Sequence, residues 1–525
     1  MPVHRKRLFR SNAQRVAVMA CCMGLTAVLW LCTMSIPGYA QTPIEPPSAP
    51  SPSTPSPTAP PVSPPTTPPA PLPERILTPI PQQFDWVGRE VRPNPLLEAL
   101  LGLHTGRQQL LMSTSLTGDY SDNFFRTETN KEEEYSLRVG LETVYRVERG
   151  RGFVSLANSL STAYRINAEE FELPFANLAL TMGYNFPRLS LALNESFIRD
   201  DDAGQDPSLA LQSGRQTFLR NHLNPQVRYQ FSRQTAATLG YSYVIVVNED
   251  NLSDITQSHG VTIGVQHRFS PVLRGGLGYA FTATSGDDTI NQGDEAGDRR
   301  SHRFTADMAY TFDRRTSATV QAFGTLTDQS GTTPDTNTFG TTSDTNTYGA
   351  LFGVQRVLSS FITASVAIGP TVFISADGEE RVFANWQVNL DGALPLFHSR
   401  RASITFSTNQ GIEDTSTEVD DVGYVLRQTV AVTLNYQPFR RLRTSLFADY
   451  TRTELLEGGA GSSPEAVAGR EDNYWRAGAR FSYALTRILS LVGTYRYQQR
   501  DSNVAEDDFA ENFVTLTLAA GFSVF

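Results

Sequence analysis

From about Gln108 to the end, apolar and polar side chains take turns along the chain. Val261, Ile263, Val265, His267 and Phe269 alternate with Thr262, Gly264, Gln266 and Arg268. Phe304, Ala306, Met308, Tyr310 and Phe312 alternate with Arg303, Thr305, Asp307, Ala309 and Thr311. Ala237 to Val247 and Leu489 to Tyr497 repeat the pattern. Neighbouring side chains of a strand point to opposite faces, so a period of two predicts strands with one apolar and one polar face. The segments run roughly 9–15 residues, long enough to cross a bilayer when tilted.

The connections between segments are of two kinds that take turns. Short ones fall at 148–151, 187–188, 232–234, 270–271, 313–315, 358–360, 394–401, 438–440 and 486–487. Longer ones, rich in Asp, Glu, Gly, Asn and Thr, include 199–212, 285–298, 328–346, 411–421 and 455–472. Short turns at one end and long loops at the other mark an all-β, transmembrane, antiparallel up-and-down β-barrel. Nine short turns join eighteen strands. One further strand at each end, Gln108–Tyr120 and Asn512–Phe525, gives about twenty, with eighteen the neighbouring even count. An even count leaves both ends of the barrel on the periplasmic side. A soluble propeller would show a blade-length repeat, and none is visible.

The segment before the barrel has a different character. Residues 1–40 read as a secretory signal peptide: Arg5, Lys6, Arg7, Arg10 and Arg15, then an apolar run from Val16 to Met34. The small residues of Pro37-Gly38-Tyr39-Ala40 place cleavage after Ala40. Residues 41–82 hold 17 of the 31 prolines, which favours an extended polyproline spacer in the periplasm. Residues 83–106 form a junction, and 107–525 the barrel domain. All three cysteines, Cys21, Cys22 and Cys32, leave with the signal segment, which excludes thiol catalysis and thiolate metal sites. Cleavage also removes five positive charges and no negative one, taking the formal charge from −10 to −15. A surface that acidic does not suit nucleic acid. The partners expected instead are outer-membrane lipid and lipopolysaccharide, the barrel-assembly machinery, and polysaccharide or peptidoglycan.

Two short motifs carry a family resemblance. The first segment reads Tyr120-Ser121-Asp122-Asn123-Phe124-Phe125, and the last hairpin contains Tyr495-Arg-Tyr-Gln-Gln-Arg500-Asp501-Ser502. Both resemble the putative beta-barrel porin 2 family, whose members often accompany exopolysaccharide production. The resemblance implies an outer-membrane barrel that passes solutes or polysaccharide. It brings no catalytic residue. The terminal Phe525 suits a signal read by the assembly machinery, although the apolar face of the last strand passes through Val514, Leu516, Leu518, Phe522 and Val524 instead.

No H-E-x-x-H spacing, nucleophile elbow or phosphate-binding glycine loop is present, so neither an enzyme nor a cofactor is expected. The polar face offers charge. If the apolar face meets lipid, Arg138, Arg228, Arg303, Arg427, Arg443, Arg476, Arg480, Arg496 and Arg500 point into the lumen, as do Glu142, Asp307 and Asp449. Twenty strands enclose more room than wall side chains fill, so water is expected inside. Two readings of the arginines stand side by side: a wall that attracts anionic solutes, and a salt-bridged wall that is purely structural. Three functions compete on this sequence. They are a porin-like channel for hydrophilic solutes or exopolysaccharide, a structural or adhesive barrel, and a barrel enzyme.

Overall fold

The structure is a computed structural model that describes residues 107–172, 174–201, 215, 217–249, 254–288, 298–330, 342–394, 402–414, 423–458, 469–504 and 507–523. The signal segment, spacer, junction, the turn after Leu394, most of the long acidic stretches and Phe525 lie outside the described residues.

The strands are Arg107–Ser121 (β1), Glu134–Arg149 (β2), Gly152–Arg165 (β3), Glu170–Phe171 (β4), Phe175–Asn185 (β5), Leu189–Asp200 (β6) and Phe218–Gln230 (β7). Next come Thr235–Asn248 (β8), Asp254–Arg268 (β9), Leu273–Asp288 (β10), Asp298–Thr311 (β11), Thr316–Ser330 (β12), Thr342–Ser359 (β13) and Ile362–Ile374 (β14). The chain closes with Glu380–Leu394 (β15), Ala402–Asp414 (β16), Gly423–Phe439 (β17), Leu442–Gly458 (β18), Glu471–Ala484 (β19), Leu489–Ser502 (β20) and Phe509–Ser523 (β21). Apart from the two-residue β4, which caps β3, these are twenty long strands.

Each long strand pairs antiparallel with the next, β3 passing to β5. The last strand then pairs with the first, from Leu111–Ser523 to Ser121–Phe513, and the barrel is closed. Closure satisfies the backbone hydrogen bonds without exposing a sheet edge to lipid. At the usual strand spacing and tilt, twenty strands make a wall roughly 40 Å across.

Alternation of connections holds with exceptions. At the loop end 249–253 and 375–379 span only five residues each, and at the turn end 395–401 spans seven. At the tight β2–β3 turn, Gly150 takes φ 58°, a conformation that a side chain would oppose.

The outer face is apolar and open. Leu137, Val139 and Leu141 on β2, Ile263 and Val265 on β9, and Leu516 and Leu518 on β21 are exposed large hydrophobics at alternate positions. Aromatic pairs frame this band. Tyr184–Phe186, Tyr229–Phe231, His267–Phe269 and Tyr310–Phe312 stand beside short turns. Tyr120–Tyr135, Tyr279–Phe304 and Tyr450–Trp475 stand toward the loop end. On β9 the frame runs from His259 to His267; eight residues of tilted strand rise about 20 Å, close to the usual apolar band. The inner face is different: buried polar side chains gather at the loop end, as with Asp119 and Ser121 on β1, Thr451 and Thr453 on β18, and Gln498 and Arg500 on β20.

Candidate functional site

The inner wall is built from the parity opposite the exposed apolar residues. It is mostly small and polar: Ser317, Thr319 and Gln321 on β12, Asn385, Gln387 and Asn389 on β15, Ser403, Thr405 and Ser407 on β16. Charges interrupt it. Arg138 and Glu142 sit on β2, Arg228 on β7, Arg303 and Asp307 on β11, Arg427 on β17. Arg443 and Asp449 sit on β18, Arg476 and Arg480 on β19, Arg496 and Arg500 on β20. All twelve share the inner parity.

Several of these arginines are paired with carboxylates. Arg476 lies directly across the ladder from Asp449 and bonds it at 2.8 Å. Arg427, 5% exposed, pairs with Glu413 at 2.6 Å. Arg138 is 3.5 Å from Asp119. Arg500 is fully buried between Asp472 at 3.3 Å and Asp507 at 3.6 Å. Arg496 lies over the Phe513 ring at 4.8 Å. Arg303 stands 5.5 Å from the Phe323 ring and is exposed, as is Arg480, whose charge is felt by Glu142. Asp307 is exposed beside Gly276, where a methyl group would meet its carboxylate.

The two end motifs, some 375 residues apart, meet at the loop end across the β1–β21 seam. Their meeting point is Glu511, 0% exposed. Ser121 Oγ donates to its Oε1 at 2.7 Å, Arg126 Nε approaches Oε2 at 3.0 Å, and Arg215 approaches Oε1 at 3.4 Å. Gln498 donates to Oε2 as well. Asn512 gives its backbone N–H and Nδ2 to Asp122, at 2.7 and 2.8 Å, and receives the Tyr495 hydroxyl at 2.8 Å. Asn123 reaches the carbonyl of Ala510 at 3.0 Å. The motif residues are therefore seam residues: they tie the first, penultimate and last strands together.

Cations and rings pack around this hub. Phe124 has two guanidiniums on it, those of Arg165 and Arg215, each at 4.2 Å. Arg165 also approaches Glu134 at 3.4 Å and Glu172 at 3.8 Å. A small pocket opens among Asp119, Glu134, Arg138, Glu172 and Arg215. Glu172, in the connection before β5, has its pKa pushed up to about 7, first by burial and then by Asp201, against the pull of Arg138, Arg165 and Arg215. A second group stands elsewhere on the loop end: Arg299 over Tyr424 at 4.3 Å and beside Asp414 at 3.0 Å, with Tyr424 bonded to Thr327 and stacked near Phe373.

Parity along the sequence marks the arginines but not this hub. Glu511 and Asp119 lie on the inner parity of their strands and were within reach of the same argument. Arg126 and Arg215 lie outside the strands, where no periodicity speaks for them.

A closed, lipid-faced, polar-lined barrel of twenty strands defines a porin-like outer-membrane protein. Its family profile agrees: Putative beta-barrel porin 2 matches residues 226–522. That span is more than half of the chain, and the chain belongs to this family. Among solved structures it is similar to Acinetobacter baumannii OccAB4, at 12% identity over 80% of this chain and 99% of that one, TM-score 0.38. Pseudomonas aeruginosa opdK is similar at 11% identity over 79% and 98%, TM-score 0.37. Pseudomonas aeruginosa OpdO is similar at 13% identity over 80% and 98%, TM-score 0.37. No curated protein matches the chain significantly.

Proposed function

We propose that this protein is a passive channel for hydrophilic solutes, with oligosaccharide or exopolysaccharide as the natural cargo. One observation carries the reading: the closed wall turns hydroxyl, amide and glycine positions inward over many consecutive strands. Such a lining replaces water for a hydroxylated solute through many weak hydrogen bonds, none strong enough to trap it. Family membership supports passage through the barrel, and the resemblance of the end motifs supports the link to exopolysaccharide. Packing of the loop end by the Glu511 and Arg299 groups favours a small conductance, because the narrowest section sets the resistance.

The test is conductance of the purified barrel in planar bilayers, with and without neutral oligosaccharides of increasing length. Discrete steps that the longer sugars interrupt are expected. A barrel that inserts and folds yet never conducts would overturn the channel and favour the structural or adhesive alternative.

A further inference from the structure

We propose that the outer face of β8–β11 holds a binding site for the phosphate of an outer-leaflet glycolipid, with His259, Arg300 and His302 as donors. The ladder fixes their arrangement. One cross-strand row runs Tyr243, His259, Ala283, Arg300, and the row beneath it Tyr241, Val261, Phe281, His302. Ala283 is thus a small residue flanked by His259 on one side and Arg300 on the other, with His302 two residues on from Arg300 on the same face. The flanking strands stand two strand spacings apart, roughly 9.6 Å. A phosphate with a hydrogen bond on either side needs roughly 8 Å. It fits the gap over the Ala283 methyl.

The donors are prepared. Tyr241 and Tyr279 hydroxyls lie 2.8 and 2.9 Å from Nδ1 of His259 and His302 respectively. A phenol donating to Nδ1 leaves the proton on Nε2, so each ring offers an N–H away from its tyrosine. Stacking holds the rings: Tyr243 lies 4.9 Å from His259, and Phe281 5.0 Å from His302. Arg300 is exposed and forms no ion pair among the described residues, although Asp328 stands across from it in the register.

Two comparisons favour a lipid over an ordinary aromatic frame. Arg452, the outward arginine above the Tyr450–Trp475 pair, is already taken by Glu471 at 2.9 Å and Glu454 at 4.0 Å. Directly beneath the donors the face turns apolar, through Ile263, Phe304, Val265 and Leu277, all exposed. A phosphate above and acyl chains below match an amphiphile whose headgroup sits at the aromatic frame. With short turns in the periplasm, this frame faces the outer leaflet.

The full-length barrel, purified in detergent, would be offered a bisphosphorylated lipid A glycolipid, its dephosphorylated counterpart, or inorganic phosphate, with retention read by native mass spectrometry. The bisphosphorylated form should be retained at least tenfold better than the dephosphorylated one, and inorganic phosphate should neither be retained nor compete. The variant H259F/R300Q/H302F, which keeps rings in the frame, should lose about tenfold, as charge-assisted hydrogen bonds suggest. R300Q alone changes one exposed side chain and gives a second reading if the triple variant folds poorly, judged by its unheated gel migration. Equal retention of the two glycolipids, undiminished retention in R300Q, or competition by inorganic phosphate would each overturn the proposal. The outcome does not depend on whether the barrel conducts.

Discussion

Glu511 is a fully buried carboxylate with four partners among the described residues, and that makes it the residue on which the seam depends. A buried charge is tolerated only while its partners compensate it. Glu511→Ala leaves Arg126 and Arg215 without their shared anion at this point. Breaking a buried pair in this way costs about 3–5 kcal/mol. Glu511→Gln keeps an acceptor for Ser121 and should cost less. Thermal unfolding followed by gel migration checks the order: wild type most stable, then Gln, then Ala. Equal midpoints for all three would mean that the hub is ornamental. Arg126 adds to the case, since it holds φ 55°, a left-handed conformation that a non-glycine residue adopts at some cost. Glu172 makes a pH prediction. Its folded pKa, about 7, lies above the ordinary 4.5. Below 4.5 it is neutral folded or unfolded. Between 4.5 and 7 the unfolded carboxyl ionises while the folded one holds its proton. Stability from this group is therefore fully present below 4.5 and lost as pH rises through about 7. Amide exchange across 166–172, corrected for its intrinsic pH dependence, should quicken over that window in wild type and stay level in Glu172→Gln.

At the scale of elements, strand pairs are fitted by laying rings over glycines. Phe153 covers Gly183, Phe323 covers Gly349, and Phe447 covers Gly478, each across one ladder; a methyl group on any of these glycines would run into the ring. The ring shields the bare backbone and pins the register, as aromatic rescue does in other sheets. Gly349→Ala should destabilise by about 1–3 kcal/mol through overpacking. Phe323→Ala should relieve most of that cost, so that a double-mutant cycle shows strong coupling; additive effects would mean that ring and glycine are independent. The strands were legible because lipid on one side and water on the other impose parity at each position. Their ends were less so. The first strand, read as Gln108–Tyr120, is Arg107–Ser121, and the last, read from Asn512, begins at Phe509. Ladders continue past the aromatic frame, where both faces can be polar and alternation no longer reports pairing. The alternation that marks the strands also sets the parity of the arginines. Which of them are neutralised it does not set: Asp449 and Arg476 are 27 positions apart, and only the register sets them face to face.

For the whole molecule, the proposed channel turns on which charges an ion inside it would feel. The chain is acidic overall, with a formal charge of −10, yet its inner wall carries more arginines than carboxylates among the twelve positions above. Net charge does not decide selectivity; uncompensated charge beside the water path does. Arg476 and Asp449 cancel at 2.8 Å, and Arg500 is enclosed by two aspartates. Arg303 and Arg480 remain exposed, the first beside a ring and the second in the field of Glu142. Removing Arg476 and Asp449 together takes one charge of each sign from a pair that already cancels. The reversal potential in a salt gradient should then stay where it is. Removing Arg303 and Arg480 takes two positive charges from the wall, and the preference should move from anions toward cations. The shift should be largest near 0.1 M salt, where the screening length is about 10 Å, and should shrink toward 1 M, where it is about 3 Å. A channel that prefers cations from the start, and keeps that preference when both arginines become alanine, would show that the acidic loop end and not the arginine wall sets the field.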